Sequence, residues 1–160
     1  MPAYIKIGDI QGESNDQDHK DWIQVETMNS AIHRAIPPGA RDQARARGQT
    51  SIADIAVVKK VDKSSVKLQE ACAAGKPFEE VEIHFCMTAG SKQEPFLKYK
   101  LKNVILSSYS IHASADSNQE PTEELTLNFI EAEWTYVVLD HKTLAKKGQV
   151  AGKYNPSEGK

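Results

Sequence analysis

The chain has 160 residues, of which 39% are hydrophobic and 26% charged, as is usual for a single globular domain. Its formal net charge of −2 gives no reason to expect a nucleic-acid partner. No apolar run approaches the roughly 20 residues of a membrane-spanning helix, so we expect no membrane insertion. Two cysteines, Cys72 and Cys86, are too few for a disulfide framework, which favours reduced thiols and folding in the cytoplasm.

The first predicted element is a strand that begins near Tyr4. Ile5 and Ile7 alternate with Tyr4 and Lys6, and this period of two is typical of a half-buried strand. Glycines at positions 8 and 12 then favour turns. Because no basic segment followed by a long apolar run occurs here, we expect no Sec signal peptide.

A second strand region covers residues 22–34, and a long loop follows it at residues 35–50. Pro37-Pro38-Gly39 interrupts regular structure, and four arginines lie in or beside the loop: Arg34, Arg41, Arg45 and Arg47. One interpretation is a solvated basic loop. The other is an assembly element, because the planar guanidinium group suits paired contacts with carboxylates of a neighbouring subunit.

The sequence pattern changes to a helical period at residues 62–75. Leu68, Ala71 and Cys72 form one apolar face, Ser64 or Ser65 is placed to cap the start, and Gly75 can end the helix in the left-handed conformation. Strand patterns at residues 52–61, 78–88, 96–112 and 124–140 flank this short helix, and residues 113–122 are predicted to be a polar loop.

The apolar parity shifts within the last of these strand patterns, at residues 129–130. Leu125, Leu127 and Phe129 are odd-numbered, whereas the later apolar set is even-numbered: Ile130, Ala132, Trp134, Tyr136 and Val138. We therefore predict a β-bulge or a corner at this point. The even-numbered set also predicts that Trp134 is buried on the same face as Tyr136 and Val138.

The pattern as a whole predicts an all-β barrel or sandwich, because several strands surround one short helix without βαβ alternation. Residues 1–140 are assigned to this domain. Residues 141–160 are polar, contain five lysines and are predicted to be a loose tail.

No motif in the chain predicts catalysis, a metal or a cofactor. Gly148 to Tyr154 has the wrong spacing for a phosphate-binding loop, and Glu82, His84 and Cys86 lack the second pair of ligands that a zinc site requires. No nucleophile and base stand in a known arrangement. We therefore expect a protein that is not an enzyme.

Four landmarks in this order resemble the haemolysin-coregulated protein family of the bacterial type VI secretion system. They are YIKIGDIQGES at 4–14, DKSSVKLQEACAAGK at 62–76, KNVILSSYS at 102–110 and ELTLNFIEAEWTY at 124–136. The resemblance implies a β-barrel of two sheets with one flanking α-helix, assembled as a homo-hexameric ring. Rings of that family stack into a hollow tube.

The same resemblance implies the partners and the location of the protein. The tube lies within a contractile sheath, carries a trimeric spike protein at its tip and can hold effector proteins in its lumen. Such a subunit is cytoplasmic before firing and is then secreted. Arg41, Arg45 and Arg47 are the candidate assembly residues. Thr27, Asn29 and Ser30 are candidate lumen residues, because a lumen that passes varied cargo favours small polar groups. The alternative is a monomeric barrel that binds a carbohydrate or another small ligand.

Overall fold

The structure is a computed structural model that describes residues 1–39, 41, 43 and 49–156. The described strands are β1 (Ala3–Ile7), β2 (Ile23–Val25), β3 (Thr27–Asn29), β4 (Ile32–Arg34), β5 (Thr50–Ile52), β6 (Ile55–Lys60), β7 (Pro77–Ala89), β8 (Lys92–His112), β9 (Thr122–Asn128), β10 (Glu131–Leu139) and β11 (Lys146–Tyr154). Helix α1 (Ser65–Ala74) connects β6 and β7. The predicted all-β class is confirmed, and the predicted short flanking helix is present as α1.

The main sheet follows the order β2-β1-β7-β8-β9-β6-β3, and all of its pairs are antiparallel. The two ends of this path, β2 and β3, are separated in the chain by Glu26 alone. The Glu26 amide donates to the Val58 carbonyl at 2.9 Å, so this short segment passes from the β1 side to the β6 side. This continuity gives the sheet its barrel form. Strands β4 and β5 form a separate hairpin.

The predicted corner at residues 129–130 is confirmed. Strands β9 and β10 lie along the same edge of β8, with Asn128 opposite Ile105 and Glu131 opposite Lys102. The strand is interrupted between them, where the Ile130 amide donates to the Lys102 carbonyl at 3.1 Å. On β8, Asn103 takes a φ of +52° at the same level. Register shifts occur elsewhere along β8, next to Cys86 of β7 and between Leu106 and Ser108.

Helix α1 ends as the sequence predicts but begins differently. Gly75 has a φ of +63°, and the amides at the end of the helix donate to the Ala71 and Cys72 carbonyls. Ser64 occupies the N-cap position, yet its hydroxyl donates to Asp62 rather than accepting from a helical amide. The Ser65 hydroxyl accepts from the Asp62 amide at 3.0 Å. The predicted serine cap is therefore replaced by a turn centred on Asp62.

The interior of the barrel is filled with aliphatic side chains from the main sheet and from α1. Fully buried examples are Ile5, Ile7, Ile23, Val57, Leu68, Val81, Ile83, Leu101, Leu125 and Leu127. Trp134 is half-buried against this core, together with buried Ala132. Tyr136 and Val138, which were predicted to share that burial, are exposed, because β10 extends beyond the barrel at that end.

Residues 146–154 correct the prediction of a loose tail. They form β11, which pairs with β10 from Ala132 opposite Tyr154 to Leu139 opposite Lys146. The turn before it is built on Asp140, whose carboxylate accepts from the amides of Lys142 and Thr143 at 2.9 and 3.0 Å. Leu144 then packs on Val137 and Leu139 in a small second core with Met87, Ala89 and Phe96. Because β11 is exposed on both faces, its residues are mostly polar and their pattern did not predict a strand.

Candidate assembly surfaces

One sheet face that continues the barrel core lies uncovered on β10 and β11. Tyr136 of β10 stands opposite Leu97 of β8 and Val150 of β11, and Val138 follows two residues later. We call Tyr136, Val138 and Val150 the apolar wing. Their exposed fractions are 45%, 40% and 69%. The opposite face of β10 is covered, because Val137 and Leu139 pack in the second core.

Strand β11 is the outer strand beside this wing. Every residue of β11 except the last, Tyr154, is exposed. In the described part of the chain, β11 pairs with β10 alone. A nine-residue strand with one free edge presents unpaired backbone donors and acceptors that can pair with another chain. The wing and the free edge therefore form one continuous exposed surface.

The outer face of β3, β6, β9 and the second half of β8 consists mainly of small polar side chains. Thr27 and Asn29 stand opposite Val58 and Ala56 of β6, and the same row continues through Thr126. The Thr126 hydroxyl lies 2.6 Å from the hydroxyls of both Ser107 and Ser108. Asp54 accepts from Ser107 at 2.6 Å and from Asn128 at 2.8 Å. We call this surface the small polar face.

Of the three predicted lumen residues, Thr27 and Asn29 belong to this small polar face. Thr27 and Asn29 are exposed, and Ser30, immediately after β3, is partly exposed. The structure brings Thr27 and Asn29 into the same rows as serines and threonines of β8 and β9, which a sequence pattern could not pair with them. Their position toward a lumen remains a prediction.

The outer face of β7, the first half of β8 and β10 carries alternating charges. Lys100 and Lys102 of β8 stand between glutamates of both neighbouring strands. Lys100 lies 3.7 Å from Glu80, and Lys102 lies 3.8 Å from Glu131 and 3.7 Å from Glu133. These exposed pairs balance one another, and each contributes at most about 1 kcal/mol to stability.

The loop with the candidate arginines emerges from the β4–β5 hairpin. The Ala35 amide donates to the Gln49 carbonyl at 3.0 Å, which closes the base of the loop next to the hairpin. Arg41 is exposed. Arg45 and Arg47 lie outside the described residues, so the assembly role of these three arginines remains a prediction.

Two buried polar networks escaped the sequence analysis. In the first, the Lys59 ammonium donates to Glu123, to Asp62 at 3.0 Å and to the Lys60 carbonyl at 2.8 Å. Glu123 also accepts from Ser65 at 3.0 Å and from Tyr109, so one carboxylate joins β6, β8, β9 and α1. Burial, together with the hydrogen bond to the Glu123 carboxylate, raises the pKa of Tyr109. A signal for this network existed, since Lys59 follows Ile55 and Val57 at the inward positions of β6.

The second network joins His19 of the loop after β1 to His84 of β7, with ring nitrogens 2.9 Å apart. The loop that contains His19 has no periodic pattern, so the sequence did not indicate the contact between His19 and His84. His84 also lies 3.5 Å from Glu82. Cys86, which follows on β7, is fully buried, and burial raises the pKa of its thiol to about 12.

Both cysteines are free, as predicted. Among residues 1–39, 41, 43 and 49–156, no group of three histidine, cysteine, aspartate or glutamate side chains is placed to hold a metal ion. In the same part of the chain, no helix has the length and apolar content needed to cross a membrane.

The fold and these surfaces define a small β-barrel with a packed interior and an uncovered sheet edge. The family model of the type VI secretion system effector Hcp matches residues 4–136, and the chain belongs to this family. It is 31% identical over 136 residues to protein hcp1 of Pseudomonas aeruginosa, an alignment that covers 85% of this chain and 83% of the relative.

Solved structures agree with this family. The chain is similar to a solved type six secretion system protein with a TM-score of 0.89 and 28% identity, over 99% of this chain and 98% of that one. It is also similar to Hcp1 of Salmonella typhimurium, with a TM-score of 0.78 and 25% identity, over 99% and 97% of the two chains. The resemblance found in the sequence is thus confirmed.

Proposed function

We propose that this protein is a structural, non-catalytic subunit that assembles into homo-hexameric rings, and that the rings stack into the hollow tube of a type VI secretion system. The subunit is cytoplasmic until the tube is fired out of the cell. Its partners are then the contractile sheath around the tube, the trimeric spike at its tip and effector proteins in its lumen. Family membership supports this role.

The apolar wing is the observation that carries the proposal. The exposed row of Tyr136, Val138 and Val150 is unfavourable in a monomer, because the transfer of apolar surface out of water lowers the free energy. A closed ring requires that a patch on each subunit meets a different patch on the next one. The wing and the β11 edge supply one such patch.

The two contrasting outer faces support a hollow tube. Hydroxyls and amides predominate on the small polar face, beside the carboxylates of Asp54 and Glu124, and small polar groups suit a lumen through which varied proteins pass. The charged face of β7, β8 and β10 suits contact with water or with a polar partner. We therefore assign the small polar face, with Thr27 and Asn29 and the adjacent Ser30, to the lumen.

The alternative of a stand-alone ligand-binding barrel has less support. Leu101, Leu125 and Leu127 are among the many side chains that fill the barrel interior, where such a protein would hold its ligand. The family match also favours the secretion machinery over a carbohydrate-binding protein.

The double variant V138D/V150D tests the proposal. Each carboxylate would have to be buried when the wing is covered, and an unpaired buried charge is strongly unfavourable. We expect the wild-type protein to have the mass of a hexamer in light scattering, and the double variant to remain folded by circular dichroism but to lose the ring. A monomeric wild-type protein at tens of micromolar concentration would contradict the proposal.

Val66→Asp is the matched control. Val66 is 68% exposed, nearly as much as Val150, but it lies in the first turn of α1. An aspartate there is compatible with the helix dipole. We expect this variant to form rings like the wild type. If both kinds of variant assemble normally, the wing is a solvated surface and does not carry assembly.

A further inference from the structure

Four side chains form a continuous polar row between the loop at residues 13–21 and strand β7. The Asp16 carboxylate lies 2.6 Å from His19 Nδ1, and His19 Nε2 lies 2.9 Å from His84 Nδ1. His84 Nε2 then lies 3.5 Å from Glu82. His19 is fully buried although it belongs to a polar loop. Tyr4 stacks on its ring with centroids 4.6 Å apart, and Trp22 packs edge-on at 4.9 Å.

The proton positions in this row follow from its ends. Asp16 accepts, so His19 carries a proton on Nδ1 and its Nε2 is free to accept. His84 must then donate from Nδ1. A proton on His84 Nε2 points toward the Glu82 carboxylate, so the row accommodates one imidazolium and three ring protons in total. A fourth proton would place two N–H groups and two positive rings against each other.

We propose that Asp16, His19, His84 and Glu82 form an acid-sensitive latch, which holds the loop on β7 until both rings are protonated. In an unfolded chain the two rings together bind four protons once the pH falls well below about 6.5, one more than the latch admits. The unfolded or unlatched state therefore binds more protons in mild acid. Stability of the latched state rises with pH across this range and is lost as the pH falls.

The charged groups around the latch do not allow the two rings to bind a fourth proton. The hydrogen bond from His84 is the main cause that lowers the pKa of Glu82, to about 2, so this carboxylate stays ionised in mild acid. On the neighbouring elements, the charged and titratable groups are Asp18 of the loop, Tyr4 and Lys6 of β1, Glu80 and Cys86 of β7, and Glu94, Lys98 and Lys100 of β8. None of these side chains lies between the two facing ring nitrogens.

Opening of the latch would act on one end of the barrel. The loop is held together by the Gly12 amide on the Asp21 carbonyl at 2.8 Å and the Asp21 amide on the Ser14 carbonyl at 2.9 Å. It leads directly into β2, whose pairing with β1 covers only Ala3–Ile5 against Ile23–Val25. A released loop therefore loosens this three-residue pairing, which lies next to the seam between β2 and β3.

Hydrogen exchange and histidine ¹⁵N NMR on the full chain test this inference. We expect the protection factors of the Gly12, Ser14 and Asp21 amides to fall at least about tenfold between about pH 7.5 and pH 5, while those of β8 change little. The NMR spectrum at the higher pH should show His19 protonated on Nδ1 only. His84→Gln should abolish most of the acid response, because an amide cannot take up a proton and can turn to accept from His19.

His112→Gln is the control, since His112 is exposed at the far end of β8 and should leave the acid response unchanged. A loop that stays protected while both rings are fully protonated would overturn the proposal, as would an equal loss of protection in His84→Gln. If His84→Gln does not fold, the ring protonation and loop protection of the wild-type protein still decide the question. None of these measurements depends on ring assembly.

Discussion

Lys59 shows how a single residue can join most of the fold. Its ammonium and the Glu123 carboxylate are both fully buried, and each has further hydrogen-bond partners on β6, β8, β9 or α1. A buried ion pair of this kind contributes little compared with a well-packed apolar pair. Removing one partner, however, leaves an uncompensated buried charge and is strongly destabilising.

The effect of replacing Lys59 can therefore be predicted. We expect Lys59→Met to lower the free energy of unfolding by about 3–5 kcal/mol, because Glu123 is left without its cation. The double variant K59M/E123L should recover part of this loss, although Tyr109 and Ser65 would lose an acceptor. Chemical denaturation measures both values. A double variant that is less stable than K59M by the full cost of a second deletion would show that the two residues act independently.

At the level of elements, the corner between β9 and β10 determines how the chain leaves the barrel and enters the strands that carry the apolar wing. The two strands share one register with β8 across the corner, from Leu127 opposite Leu106 to Ala132 opposite Leu101. The inward side chains nevertheless change there from odd-numbered Leu125 and Leu127 to even-numbered Ala132. Asn103 provides the turn on the opposite strand with a φ of +52°, a region that asparagine tolerates better than β-branched residues. The corner thus depends on backbone conformation as well as on packing.

Substitution at Asn103 tests this dependence. Asn103 is exposed, so a change there alters few contacts. We expect Asn103→Val to lower the free energy of unfolding by about 1–2 kcal/mol, and Asn103→Gly to be within about 0.5 kcal/mol of the wild type. Thermal unfolding of the two variants side by side checks the difference. Equal stability of the valine and glycine variants would show that the left-handed conformation is unimportant here.

At the level of the whole molecule, the candidate assembly surfaces are spread over several parts of the chain. The apolar wing lies on β10 and β11, whereas the arginine loop leaves the separate β4–β5 hairpin. A ring interface needs different patches on the two sides of each subunit, and stacking needs further contacts between rings. Several weak ion pairs repeated around a ring can together determine whether it forms or stacks.

The triple variant R41E/R45E/R47E is expected to keep the fold but to weaken ring formation or stacking, and secretion with it. Salt should weaken the wild-type contacts in the same direction, because exposed charges are screened over about 10 Å at 0.1 M. Particle mass, electron microscopy and export measure these effects. K63E/K67E/K76E, which reverses three lysines at or beside α1, is the charge-matched control. A triple arginine variant that assembles and is exported normally would identify the loop as solvated.

The sequence by itself determined the elements whose chemistry is local. Alternation identified β1, β7 and β10, and Gly75 marked the end of α1, because side-chain period and glycine conformation need no distant partner. The parity shift at 129–130 located the corner for the same reason. The order of the four landmarks was sufficient to identify the family.

Only the tertiary structure decided which of these elements meet and which faces are covered. Strand β11 has no apolar face of its own and exists through its pairing with β10, so its polar sequence suggested a tail. Tyr136 and Val138 continue the pattern of Trp134 but extend past the end of the core, where both stay exposed although the Phe96 ring lies edge-on to Tyr136. Lys59 with Glu123, and His19 with His84, are 64 and 65 residues apart in the chain. Contacts at that separation arise from strand register and loop closure, which a local pattern does not specify.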